Sequence, residues 1–303
     1  NMISVVIPVY KNTHLFLTNL KKNLPYLKKW EIIIVNDDPE KSIKNEIKQI
    51  KRKNIFLIEN KKNLGFGQSV NMGAKKAKGK FLLLLNSDTV LKNESYLFGL
   101  KYFKNNPYLF AISFAQKEED GEIVGKNIIY FKNGLFHHQK ANDLIFGKNG
   151  WAEGGACLID KKKFDFLGGF DPLFTPFYWE DVDLSYRAWK AGFEILFVPK
   201  ILVIHHHQST IGKYFSLKEI KSIAFRNQLI FTFKNISDLD FYLQFFFFFL
   251  KNFFQFLILF DFTNLLAIFG FLKRIIKILK VKIDQQRIYK IKDREVLTYF
   301  KNG

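Results

Sequence analysis

Five apolar residues in succession, Phe81 to Leu85, stop abruptly at Asn86-Ser87-Asp88. A continuous apolar run of this length, bounded by polar residues, reads as a strand buried on both faces. Such strands occupy the middle of parallel sheets that carry helices on both sides. Two similar runs precede it, ISVVIPVY at residues 3–10 and EIIIVN at residues 31–36, and NIFLIEN is a shorter third strand. Between them, residues 13–29 place Leu15, Phe16, Leu20, Leu24 and Leu27 near helical spacing, with Thr13 as the expected N-cap and Pro25 as a stop. Residues 40–52 read as a polar helix, and a glycine-rich loop from Asn63 leads into another. Strand–helix alternation with short connections requires a parallel sheet with right-handed crossovers. The chain is therefore α/β, with a mostly parallel, Rossmann-like central sheet flanked by helices.

Beyond residue 95 the pattern loosens. Residues 95–105 read as helical, and turns at Asp120-Gly121 and Asn133-Gly134 predict hairpins within 110–150. WAEGGACLID reads as a strand, the segment after Tyr178 as a helix ending at Gly192, and EILFVP and ILVIHHH as the last strands. The length suits one large domain with an appendage. A division into 1–100, 101–230 and a helical tail at 231–303 follows from these shifts. The single cysteine, Cys157, excludes an internal disulfide and fits a reducing compartment. No basic n-region precedes the first strand, so no signal peptide is expected.

Chemistry concentrates at the strand ends. Asp37 and Asp88 close two parallel strands, and carboxyl ends of such strands share the edge where α/β sheets bind ligands. Magnesium and manganese bind through one or two carboxylates plus substrate phosphates, so one aspartate and a diphosphate suffice to hold such an ion. Gly65-Phe66-Gly67 opens a helix and suits an anion cradle or a plain tight turn. It is not the dinucleotide fingerprint, whose third glycine would fall where Val70 stands. Trp179-Glu180-Asp181-Val182-Asp183 sets three carboxylates at a helix start behind an aromatic and proline-rich stretch. Helix capping and the helix dipole account for one or two of these. A carboxylate beside apolar rings has its pKa raised and can serve as a general base. His205-His206-His207 ends the last strand in a chain with only six histidines, which favours a metal ligand.

Taken in order, these motifs resemble glycosyltransferase family 2, inverting enzymes of the GT-A fold, over roughly residues 2–230. VVIPVY resembles the family's opening strand and NDDP its base-recognition turn. NLGFGQSVNMGAKKAKGKFLLLLNSDT is similar to the rhamnosyltransferase-like and galactofuranosyltransferase-like members. WEDVDLSYRAWKAG and VIHHHQS resemble the acid cluster and late histidine. The resemblance implies that Pro8, Val9 and Tyr10 border the nucleotide base and that Asp37 bonds it. It implies that Asn63, Gly65 and Gly67 shape the diphosphate side, with Asn86 and Ser87 also contacting the nucleotide-sugar. Asp88 and His205 are the implied ligands of Mg2+ or Mn2+. Asn86 departs from the usual acidic first position of the metal motif. Asp181 is the implied general base, with Glu180 as the runner-up, and Asp183 is expected to pair with Arg187. The expected reaction is transfer from a nucleotide-diphospho-sugar, dTDP-rhamnose or a UDP-sugar, to a glycan or lipid-linked acceptor in bacterial surface polysaccharide or lipopolysaccharide synthesis. The alternative is a non-catalytic, membrane-associated assembly factor that keeps the fold.

The formal charge of +19 admits nucleic acid, anionic lipid or phosphate-rich substrates, or mere compositional drift. No nucleic-acid recognition motif appears, so no nucleic-acid partner is expected. FYLQFFFFFLKNFFQFLILF at residues 241–260 nearly reaches the length of a membrane span. Gln244, Lys251 and Gln255 form a narrow polar stripe along it, and Lys273, Lys277 and Lys280 share a face of the next apolar stretch. Basic amphipathic helices with bulky apolar faces lie in membrane interfaces. The expectation is peripheral attachment to anionic lipid on the cytoplasmic side of the inner membrane. The alternatives are a helical hairpin packed on its own core or on a partner subunit of a homo-oligomer, and a true membrane span, which the polar stripe disfavours.

Overall fold

The computed structural model describes residues 2–206 and 210–300. Strands β1 (Ile3–Val9), β2 (Glu31–Asn36), β3 (Ile55–Glu59) and β4 (Phe81–Leu85) are the four apolar runs of the first hundred residues, and they pair in parallel in the order β4-β1-β2-β3. Helices α1 (Thr13–Asn23), α2 (Lys44–Gln49) and α3 (Phe66–Lys76) connect them. Alternation across the pleat fills both faces. Val5, Ile7, Ile32, Ile34, Leu83 and Leu85 pack on the side of α1. Val6, Ile33, Val35, Leu82 and Leu84 pack on the side of α3. Each such side chain contributes about 1.5–3 kcal/mol on burial. Gly73 lets α3 approach, because a Cβ there would sit 2.4 Å from Val6 Cγ1.

The second half makes the sheet mixed. After the short strand β5 (Thr89–Leu91) and helix α4 (Gly99–Asn105) come β6 (Leu109–Lys117), β7 (Ile123–Val124), the hairpin β8 (Asn127–Lys132) and β9 (Leu135–Lys140), and β10 (Gly147–Lys148). The predicted Asn133-Gly134 turn closes that hairpin, which stands as a separate two-stranded sheet. Strand β11 (Ala156–Asp160) lies antiparallel between β4 and β6, which interrupts the parallel run of the first half. Helices α5 (Lys161–Phe166) and α6 (Glu180–Lys190) follow. The two strands expected at the end are one, β12 (Glu194–His205), with a register irregularity between Val198 and Leu202. Pro199 stands in that gap and cannot donate to the ladder, which explains why the sequence reads as two strands.

Other boundaries also differ from expectation. Asn12, at φ 50°, caps α1 rather than Thr13, and no side chain accepts from the first turn. The polar helix expected over 40–52 is six residues long. Trp151 to Gly155 precede β11 rather than joining it.

Helices α7 (Thr210–Tyr214), α8 (Leu217–Asn235), α9 (Leu239–Ile258), α10 (Phe262–Leu272), α11 (Ile275–Gln286) and α12 (Asp293–Thr298) complete the chain. Residue 230, the expected boundary, falls inside α8. The tail returns to the α/β body: Asp293 is fully buried and accepts from Lys190 Nζ at 2.7 Å and from Tyr186 Oη at 2.8 Å, both on α6.

Candidate active site

A cleft of about 360 Å³ opens at the carboxyl ends of β1, β2 and β4. Pro8, Val9, Tyr10, Asp37, Asn63, Gly65, Asn86, Ser87, Asp88 and His205 line it, together with Phe66, Ser69 and the loop Pro176–Tyr178. Ten of the expected site residues therefore meet in one place. Gly67 does not line this cleft. A Cβ at Gly67 would stand 2.9 Å from Phe170 Cβ, so this glycine serves packing. Asp37 also differs from a free base-binding group. Its Oδ1 accepts from Leu64 N at 2.8 Å and Asn60 Nδ2 at 2.9 Å, and its Oδ2 from Gly65 N at 2.8 Å. It holds the 60–65 loop in shape, helped by Asn63 Oδ1, which accepts from Gly65 N at 2.9 Å. Burial raises the Asp37 pKa against these hydrogen bonds.

Strand register brings the two ends of the site together. β5 runs antiparallel to β12, with Thr89 opposite His205, and His206 N donates to Asp88 O at 2.9 Å. His205 Nε2 consequently lies 3.3 Å from Asp88 Oδ1. That oxygen is buried and has no hydrogen-bond partner, so the approach is a close charge contact rather than an aligned bond. Nδ1 of His205 lies 3.0 Å from Glu118 Oε1. A histidine oriented by a carboxylate on its far nitrogen is how metal-bound imidazoles are commonly held. Burial works to lower the His205 pKa, but Asp88 and Glu118 outweigh it and raise it to about 9.

An orphaned buried carboxylate oxygen beside an oriented imidazole fits a divalent cation. Among the described residues no group of three potential ligands is assembled, so phosphate oxygens would have to complete the shell. His207 lies outside the described residues. The segment holding Asp88 is fixed from behind by α1: Asn19 Nδ2 donates to Ser87 O at 3.1 Å, and Asn23 bonds Thr89 O and Leu91 N at 2.9 and 2.8 Å. Sequence reasoning missed both asparagines. Their spacing of four on a helix facing the sheet is the available signal.

Glu180 and Asp181 begin α6, and neither lines the first cleft. The turn Glu153-Gly154-Gly155 joins them to it. Asn86 N donates to Gly155 O at 2.9 Å, and Gly154 N to Asp181 Oδ2 at 3.4 Å. Asp181 Oδ1 accepts from Val182 N at 2.8 Å. Burial, then the nearby Glu153 charge, raises Asp181 to about 6. Burial, then Asp181, raises Glu180 to about 8, and Glu180 Oε2 is buried without a hydrogen-bond partner.

Glu153 is a further site residue that sequence reasoning missed. It lines a second, acidic cleft with Glu118, Glu119, Asp120, Glu122 and His205, and it accepts from Asn127 Nδ2 at 2.8 Å and from Gln116. Asp183 behaves as expected toward Arg187, whose Nε lies 2.8 Å away, and it is fully buried. It also binds Lys234 Nζ at 2.6 Å and Asn235 Nδ2 at 2.9 Å, while Lys234 reaches Asp171 at 2.8 Å.

The sequence profile of glycosyl transferase family 2 matches residues 4–168, more than half of the chain. An uncharacterized glycosyltransferase of Rickettsia bellii is 29% identical over 124 residues, 40% of this chain and 18% of that protein. The poly-beta-1,6-N-acetyl-D-glucosamine synthase of Staphylococcus aureus is 26% identical over 178 residues, 58% of this chain and 42% of that protein. The chain thus spans less than half the length of either relative. Among solved structures, GalNAc-T7 with UDP, GalNAc and Mn2+ superposes with a TM-score of 0.60 at 18% identity, over 76% of this chain and 47% of that one. S. aureus TarS 1-349 in complex with UDP-GlcNAc gives 0.57 at 16% identity, over 80% and 69%. These likenesses establish the expected GT-A architecture, a curled mixed sheet flanked by helices. With the profile match they lead to one conclusion: this chain is a member of glycosyl transferase family 2.

Proposed function

We propose that the protein is an inverting glycosyltransferase that moves a sugar from a nucleoside-diphospho-sugar to a glycan or lipid-linked acceptor. The observation that carries this reading is the pairing of Asp88 Oδ1 with His205 Nε2 at 3.3 Å beside a cleft that contains no lysine or arginine among its described lining residues. A diphosphate in such a cleft has no fixed side-chain cation except the histidine. Asp88 and His205 would hold Mg2+ or Mn2+, which supplies positive charge to the departing diphosphate. Pro8, Val9 and Tyr10 border the base, Asp37 shapes the loop beside it, and Asn86 and Ser87 face the donor.

On the acceptor side, Asp181 takes the proton from the attacking hydroxyl. Its raised pKa keeps it ionised yet basic near neutral pH. Glu180 stays protonated there and spares the site a further negative charge beside Asp181. Attack from the face opposite the leaving group inverts the anomeric carbon. UDP-GlcNAc is the first donor to test, because TarS is solved with it. dTDP-rhamnose and UDP-galactofuranose follow from the loop motif. A donor panel with manganese, read by nucleoside diphosphate release, tests the reading. Release that needs Asp181 supports it; no release from any donor and acceptor pair supports the assembly-factor alternative.

We propose further that the tail docks on anionic lipid at the cytoplasmic membrane surface. α9 is long and apolar enough to cross a membrane by length and composition, and only 11% of its apolar 18-residue stretch is buried. Leu243, Phe247, Leu250 and Phe254 form an exposed row along it, continued by Phe260, Phe262, Leu266 and Phe269. The polar stripe Gln244, Lys251 and Gln255 is exposed beside that row, which favours lying in the interface over spanning. On α11 the exposed Lys277 and Lys280 alternate with exposed Ile276, Leu279 and Ile283. Apolar side chains flanked by lysines match an anionic bilayer in both hydrophobicity and charge.

A further inference from the structure

Helix α8 turns two polar side chains, the half-buried Arg226 and the buried Asn227, toward the loop that precedes Glu180 and Asp181. Asn227 is fully buried. Its Nδ2 lies 2.8 Å from Phe174 O, 2.9 Å from Phe177 O and 3.0 Å from Tyr178 O. Its Oδ1 accepts from Arg226 Nε and Nη2 at 3.0 and 2.9 Å. Nη2 of Arg226 also donates to Thr175 O at 2.7 Å. One arginine–asparagine unit therefore gathers four carbonyls of a five-residue loop. An amide has only two hydrogens, so the three carbonyls at Nδ2 share them.

The loop needs such a hold. Tyr178 and Trp179 have φ of 71° and 74°, so two successive aromatic residues occupy the left-handed region. That conformation costs a non-glycine residue about 1–2 kcal/mol, and it persists where the surroundings over-determine it. Trp179 is also the N-cap of α6 and has no side-chain cap bond, so its backbone sets where Glu180 and Asp181 start. The same loop forms a wall of the donor cleft through Pro176, Phe177 and Tyr178. It presses on the donor loop as well, since a Cβ at Gly65 would stand 2.7 Å from Pro176 O.

We infer that Asn227, gripped by Arg226, is a positioning residue for transfer: it fixes the Phe174–Tyr178 loop and, through it, the approach of Glu180 and Asp181 to the donor cleft. This rests on the reading of Asp181 as the base. The hydrogen bonds of Asn227 go to Arg226 and to loop carbonyls and not to either carboxylate, so its effect is exerted through the backbone.

Two variants test it. Asn227→Asp keeps an oxygen for Arg226 but turns a carboxylate oxygen toward the three carbonyls. Asn227→Ala removes the contacts without adding charge. Both are assayed with manganese for kcat, donor KM and pH profile, for amide hydrogen exchange over 174–181, and for thermal unfolding. The expected result for both is exchange at least roughly tenfold faster in that loop, a folded protein, and kcat lower by about 10²-fold with donor KM changed much less, the size of an ångström-scale misplacement. Water admitted to the loosened site also moves the acid limb of the pH profile to lower pH, which a loss of folded protein alone would not do. The inference is overturned if loop exchange is unchanged, if exchange rises while kcat and the pH limb stay as in wild type, or if activity falls only with the folded fraction. Absence of transfer by the wild-type protein defeats the glycosyltransfer reading instead, and the exchange data then decide separately whether Asn227 holds the loop.

Discussion

The protonation of the acid pair at the start of α6 gives a quantitative expectation. Asp181 at about 6 and Glu180 at about 8 bracket neutrality. At pH 7 the first is therefore largely ionised and the second largely protonated. The acid limb of kcat/KM is therefore expected near pH 6 rather than near the ordinary aspartate value of 3.8. The perturbation that isolates the cause is Glu153→Gln. Burial is the main contribution to the raised Asp181 pKa and the Glu153 charge is the next, so neutralising Glu153 lowers the limb without abolishing it. A neighbouring charge moves a carboxyl by roughly 1–3 pH units, and as the smaller of the two contributions Glu153 is expected to move the limb by about one. Asp181→Asn removes the base and costs roughly 10²–10⁴ in turnover. Glu180→Gln mimics the form present at pH 7 and keeps activity there within a few-fold. The assay is initial-rate nucleotide release from pH 5 to 9. An acid limb near pH 4 that Glu153→Gln leaves in place refutes the reasoning, as does an active Asp181→Asn beside a dead Glu180→Gln.

Lys234→Met leaves the buried Asp171 and Asp183 without the ammonium that lies 2.8 and 2.6 Å from them, so it is expected to destabilise by about 3–5 kcal/mol. At about 2 °C per kcal/mol for a chain of this size, calorimetry reads a Tm lower by about 6–10 °C. Burial pushes the Asp171 pKa up but Lys234 holds it below the ordinary value. Its stabilising contribution is full above the unfolded pKa near ~3.9 and is lost as pH falls through the lower folded value. The deficit of Lys234→Met therefore narrows in acid, and a pH-independent deficit contradicts the assignment. For the membrane surface, replacing Leu243, Phe247 and Phe254 together by Ser is expected to abolish sedimentation with phosphatidylglycerol-containing vesicles while leaving Tm and nucleotide binding intact. Retained sedimentation, or equal binding to purely zwitterionic vesicles, removes the lipid assignment. Deleting the tail is a poorer test, because Asp293 ties α12 to Lys190 and Tyr186 of α6.

The first half of the fold was legible because strands buried on both faces write themselves as unbroken apolar runs. Leu82 and Leu84 face one core and Leu83 and Leu85 the other, so no polar residue interrupts them. β12 was misread because Pro199 interrupts the pairing with β6 without ending the strand. β5 is three residues long and has too little pattern to see, yet its register is what puts Asp88 beside His205. The side chains that meet in the cleft were visible as strand-end polar residues, and the acid pair of α6 as a helix-start cluster. Those that position them were not. Asn19, Asn23, Arg226 and Asn227 act on backbone carbonyls far away in sequence, and Glu153 is polar within a glycine-rich turn like many others.

The most direct test of the account is nucleotide binding measured calorimetrically with and without Mn2+. A nucleoside diphosphate, UDP first and dTDP as the second probe, is titrated into wild-type protein and Asp88→Asn. Binding is expected to be strengthened at least roughly tenfold by the cation in the wild type, with no such gain in the variant, a difference of about 1.4 kcal/mol or more. Equal cation dependence in both proteins, or equally tight binding by the wild type without any divalent ion, contradicts the account.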